Sequence, residues 1–128
     1  MTNISFDLQL RRIDVQAIQQ EVDDETLEWR SFVTVNSKRG SALVLARLVV
    51  KNRGGRAQGL GVAFLPEKDR YPEGTLSEAN VVRWVEEVGA ELLYDLCRQA
   101  LLAQAGAMNL ELDLPAVPPV VEPSVIPE

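Results

Sequence analysis

Residues 42–50, with the sequence ALVLARLVV, constrain the fold more than any other stretch of this chain. Apolar side chains occupy both parities, so a strand here must be covered on both of its faces, as the most buried strand of a sheet is. Turn signals bound it on either side. Asn36-Ser37-Lys38-Arg39-Gly40 precedes it, and Lys51-Asn52-Arg53-Gly54-Gly55 follows it as a hairpin turn.

The flanking segments supply the rest of a sheet. Ile4, Phe6, Leu8 and Leu10 alternate with Ser5, Asp7, Gln9 and Arg11, the period of a half-buried strand. After Arg12 the apolar residues move to odd positions, at Ile13, Val15 and Ala17, a parity change that predicts a bulge or bend in one long strand over 4–18. The acidic run Glu21-Val22-Asp23-Asp24-Glu25 reads as a loop. A second strand carries Leu27, Trp29, Val33 and Val35 on one face and Phe32 on the other. A fourth carries Leu60, Val62 and Phe64, with Gly59 and Gly61 on the opposite face; those glycines admit a close approach to the sheet or mark a bulge.

Pro66 and Pro72 enclose a charged loop, and Thr75-Leu76-Ser77-Glu78 has the form of a capping box. From there the spacing predicts one long helix to Ala105, ended by Gly106. Val81, Val85, Val88, Leu92, Leu96 and Ala100 form one stripe; Trp84, Leu93, Cys97, Leu101 and Leu102 form a second beside it. A single small sheet cannot cover both stripes, so a second subunit is the simplest cover for one of them. Met108-Asn109-Leu110-Glu111-Leu112-Asp113-Leu114 alternates again and reads as extended. The five prolines from Pro115 onward predict an open, disordered arm. The expected organisation is a single α+β domain over 1–114, a four-stranded antiparallel sheet with one long helix packed on it, followed by a flexible tail over 115–128.

Chemistry is limited by what the chain lacks. It has no histidine and one cysteine, Cys97, so a zinc site built from the usual ligands and a His-activated nucleophile are both excluded. Cys97 lies within an apolar helical stripe and reads as a small buried hydrophobe. Asp23-Asp24-Glu25 and Glu86-Glu87 lack the arrangement of an acid/base pair, and no enzyme activity is expected. The net charge of −6 opposes binding to nucleic acid or to an anionic membrane. The basic residues Arg11, Arg12, Lys38, Arg39, Lys51, Arg53 and Arg56 read as solvated turns and protected strand edges. The N-terminal residues lack a signal-peptide pattern and no stretch is long enough to span a bilayer, so a cytoplasmic location without membrane insertion is expected. No cofactor is implied.

Four strands, one long helix and an extended apolar exit, in that order, resemble the SecB family of export chaperones. The opening FDLQLRRIDV is similar to the family's first strand, Glu21 falls where the family commonly has a glutamate, and LVLARLVV with Ala63-Phe64-Leu65 resembles its central pair. The helix LLYDLCRQAL leading into GAMNLELDLPAV resembles the family's aromatic-containing helix, terminal glycine and Leu-x-Leu-x-Pro-Val exit. The similarity spans 6–117. Three features depart from the pattern. Pro118-Pro119 preclude the family's second helix, and no acidic residue lies between Gln58 and Leu65, where the family contacts its SecA motor. The tail also lacks the basic, polar character associated with binding the motor's zinc domain.

The resemblance implies an ATP-independent holding chaperone, a homotetramer built as a dimer of dimers, that binds unfolded polypeptide clients in apolar grooves. A SecA-type motor or an antitoxin is the implied further partner, and the departures fit the antitoxin at least as well. Candidate client-binding residues are Trp29, Phe32 and Val33 on the second strand, Leu93, Tyr94 and Leu101 on the helix, and Met108, Leu110 and Leu112 on the exit. Candidate interface residues are Ile13, Val15, Val85, Val88, Leu92 and Leu96. Most apolar residues at regular spacing simply pack, so core or subunit contact is the competing assignment for each. Two other functions fit the same elements: a structural or assembly module of a phage or secretion system, and an adaptor for a single peptide partner.

Overall fold

The computed structural model describes residues 4–17, 25–52, 55–66 and 71–127. The acidic loop, the tip of the second hairpin turn and the charged loop after Pro66 involve residues outside that set. Four long strands follow one another: β1 (Asp7–Ala17), β2 (Thr26–Asn36), β3 (Ser41–Asn52) and β4 (Gly55–Phe64). A helical rod follows, composed of α1 (Glu78–Trp84), a π-helical turn at Val85–Gly89 and α2 (Ala90–Ala107). A short strand, β5 (Ser124–Val125), closes the order.

The sheet runs β1-β4-β3-β2-β5, with β3 in its middle and β1 at one edge. The four long strands pair antiparallel, and β5 pairs parallel to β2. The expected four-stranded antiparallel sheet is therefore corrected to a five-stranded mixed one, the fifth strand coming from the proline-rich tail. In β1 the register shifts between Leu10 and Arg12, at the parity change in its sequence.

One face of the sheet receives the helix. Val44, Ala46, Leu48 and Val50 of β3, with Trp29 and Val33 of β2, are buried there against Leu93, Tyr94, Cys97 and Leu101. Gly59 and Gly61 leave the space for α2. A Cβ on Gly59 would lie 3.1 Å from Cys97 Cβ, and one on Gly61 would meet Cys97 Sγ and Leu93 at 3.4 Å. Close approach, not a bulge, is the reason for these glycines.

The helix departs from uniform periodicity. Val81, Val85, Gly89, Leu93, Cys97, Leu101 and Ala105 are all buried, at a strict spacing of four. In a pure α-helix such a row winds away from the core. The π turn holds an extra residue and so resets the phase. Gly89 makes that turn possible, because a Cβ there would lie 2.3 Å from the Trp84 ring, which packs on Phe6 at 4.3 Å between centroids. The consequence is a correction to the interface stripe. Val85 belongs to the core, whereas Val88 and Leu92 are 45% and 46% exposed.

The helix ends also differ from expectation. Ser77, not Thr75, caps the start, its hydroxyl accepting the Asn80 amide at 3.2 Å. The rod runs through Gly106 to Ala107 and stops at Asn109, which takes the left-handed conformation at φ 57°. Asparagine is the residue that tolerates that conformation best after glycine.

Candidate functional site: apolar grooves beside the helix

Among the described residues, an apolar depression and one of mixed character lie beside the helix. The first lies between β1 and α2, has a volume of about 460 Å³, and is lined by Leu8, Leu10, Leu92, Leu96 and Ala100 with Asp95 and Gln99 at its margin. It forms where β1, an edge strand whose even residues before the bulge face the helix, runs beside a helix that packs chiefly over β4. Val88 extends the exposed apolar surface along the rod. Ile13, past the bulge on β1, is 37% exposed, and Val15 is half-buried.

The second depression, of about 570 Å³, lies where the chain leaves the helix. Leu102, Ala105, Gly106, Leu110 and Leu112 line it, with Glu25, Asn52, Glu111 and Asp113 around them. The exit segment is held against the body by hydrogen bonds. The Asp113 amide donates to Asn52 Oδ1 at 2.6 Å, Arg98 Nε to the Leu114 carbonyl at 3.3 Å, and the Tyr94 hydroxyl to the Pro115 carbonyl at 2.7 Å. Leu114 is buried as a result, and the residues beyond Pro115 run over the surface.

The candidate client-binding residues separate into two groups. Trp29, Val33, Leu93, Tyr94 and Leu101 are buried in the core, Trp29 meeting Tyr94 edge-on at 5.3 Å. Phe32, Leu110 and Leu112 are half-buried, and Met108 is exposed. Phe32 lies on the face of the sheet without the helix, in a row with Leu45 and Val62. Leu8, Leu10 and Leu45 were not among the candidates; the alternation in β1 and the apolar odd positions of β3 are the signals that find them.

Titratable chemistry is sparse. Burial pushes the Cys97 thiol up to about 11 and raises the Tyr94 phenol above its ordinary value, the latter opposed in part by the neighbouring Arg98. Among the described residues no group of three potential metal ligands comes together, and no helix is long and apolar enough to cross a membrane.

The Cys97 shift predicts an alkaline loss of stability. The unfolded thiol ionises near pH 8.5 to 9 while the folded one keeps its proton to about pH 11. Between those values the unfolded state binds fewer protons, so stability falls as pH rises. Urea unfolding at pH 7.5 and about 9.5, below the range in which tyrosine ionises, should show a loss of about 1 kcal/mol that Cys97→Ala largely removes. An equal loss in both proteins would contradict the assignment.

The strand order with the helix on one face and an extended exit defines a SecB-like α+β fold. A solved structure with this architecture is the SecB-like chaperone Rv1957 of Mycobacterium tuberculosis, in complex with a ChAD peptide from the antitoxin Rv1956 HigA1. It superposes with a TM-score of 0.67 over 89% of this chain and 87% of that one, at 16% sequence identity. No protein-family model and no curated protein sequence matches the chain.

Proposed function

We propose that this chain is an ATP-independent holding chaperone of SecB type that binds non-native polypeptide segments as a non-catalytic homo-oligomer. The observation that carries this reading is the apolar surface left on the folded protomer: Leu8, Leu10, Leu92 and Leu96 in one groove, Leu110 and Leu112 in the other. An unfolded client exposes apolar side chains, and burying them contributes about 25 cal/mol per Å². The backbone of an extended client can be held at polar groove margins without its sequence being read. Neither step needs a nucleotide or a metal.

The two grooves serve different ends in this reading. The β1/α2 groove lies next to the edge of β1 that carries no strand among the described residues, and a second copy placed there would extend the sheet and cover Val88 and Leu92 together. The exit groove, with Met108 and the half-buried Phe32 on the other face of the sheet, is left for clients. An antitoxin is the favoured dedicated client, since the similar SecB-like chaperone is solved with an antitoxin peptide.

Light scattering of a chemically unfolded, aggregation-prone protein diluted into buffer tests the reading, with and without this chain and without nucleotide. Suppression at near-stoichiometric amounts is expected. Unimpeded aggregation would refute the holding function and leave the assembly module or the single-peptide adaptor.

A further inference from the structure

The tail does something its composition does not suggest. Its residues 124–125 lie in parallel register with Phe32 and Val33 of β2, and the Ile126 amide donates to the Val33 carbonyl at 2.8 Å. This pairing occupies the outer edge of β2. In a strand the N–H and C=O of one residue point to the same side and alternate along the chain. Val33 therefore shares that edge with the backbones of Trp29, Ser31 and Val35, whose side chains are buried. Among the described residues β5 is the only strand beside this edge, and it covers two positions of an eleven-residue strand.

We infer that the end of the tail is a built-in competitor for an extended client, which adds to the β2 edge as a strand once Ser124–Val125 leaves it. The inference rests on the holding function proposed above. Three observations support it. The tail has the character of a client segment: it is extended, and Val120, Val121, Val125 and Ile126 are apolar yet exposed. Its pairing is bounded by Pro123 and Pro127, which lack the N–H that a longer ladder needs, so the occupant is kept short and easily displaced. The tail is also tethered at Leu114 and Pro115 by the Arg98 and Tyr94 hydrogen bonds, which keeps its end at high effective concentration near β2.

Ile126→Pro in the full-length chain tests the inference, because it removes the one amide donated to Val33 while altering only an exposed terminal residue. The probe is fluorescein-labelled, reduced and carboxymethylated α-lactalbumin, a permanently unfolded chain, followed by anisotropy. Ile126→Pro is expected to bind it roughly three- to tenfold more tightly than the unaltered chain, the range a weak displaced strand allows. Val120→Pro, at a fully exposed position away from the pairing, is expected to leave the affinity unchanged.

Equal binding by the unaltered chain and Ile126→Pro would overturn the inference and leave the holding function standing. Self-association of Ile126→Pro without a gain in affinity would also overturn it, since the tail would then only protect an edge. Weaker binding by Ile126→Pro would make the tail part of the binding surface and overturn the competition. A probe bound by neither form would refute the holding function together with the competition.

Discussion

Tyr94→Ala is expected to destabilise the protein by about 3 to 5 kcal/mol, the range for removing a fully buried aromatic side chain. Tyr94 has no exposed surface, meets Trp29 edge-on, and donates its hydroxyl to the Pro115 carbonyl. Truncation removes the ring from between sheet and helix and leaves a cavity that β2 and α2, both regular elements, cannot collapse to fill. Tyr94→Phe separates the two contributions. It keeps the ring and loses only the hydrogen bond, so about 1 kcal/mol is expected. Equilibrium urea unfolding at fixed protein concentration measures both, the concentration being held because the proposed assembly would contribute to apparent stability. A midpoint for Tyr94→Ala close to that of the unaltered chain would show that this contact does not hold helix, sheet and exit segment together.

The central strand and the bend of β1 were legible because each is written in side-chain parity, whereas Gly59 and Gly61 left a close approach and a bulge both open. Parity is a local property, and a one-residue slip would turn every apolar residue of a strand to the wrong face. The helix was legible as a helix but not in its phase. Uniform periodicity groups Val85 with Val88 and Leu92, and only the π turn at Val85–Gly89 separates the buried row from the exposed one. A five-residue distortion stabilised by the fit of Trp84 over Gly89 leaves little trace in the spacing of apolar residues.

The tail strand was not legible for a different reason. Two residues between prolines carry no period, and their partner lies about ninety positions earlier, at Phe32 and Val33. The candidate site was partly legible. Apolar alternation finds Leu110 and Leu112, but it gives Trp29 and Tyr94 the same weight, because core and groove ask for the same side chains. What distinguishes them is which face the helix covers, and that depends on the sheet as a whole.

Leu92→Asp is expected to separate subunits while leaving each protomer folded. In the single chain Leu92 is 46% exposed, so a carboxylate there stays hydrated and costs the fold little. In an assembly that covers the β1/α2 groove, the same carboxylate loses water against Leu8, Leu10 and Leu96 of the groove. Lost apolar burial and the desolvated charge come to about 2 kcal/mol for each copy. Two copies meeting across a two-fold contact double that, which weakens association roughly a thousandfold. Val85→Asp is the contrasting variant. Val85 is buried within the protomer, so an unpaired charge there should unfold the chain itself, not merely divide the assembly. Light scattering coupled to gel filtration reads the mass, and thermal melting reads the fold. A smaller, cooperatively melting Leu92→Asp species is the expected result. An unchanged mass would mean that this groove stays open in the assembled protein, and exposed Val88 and Leu92 with half-buried Leu96 would then belong to the client surface.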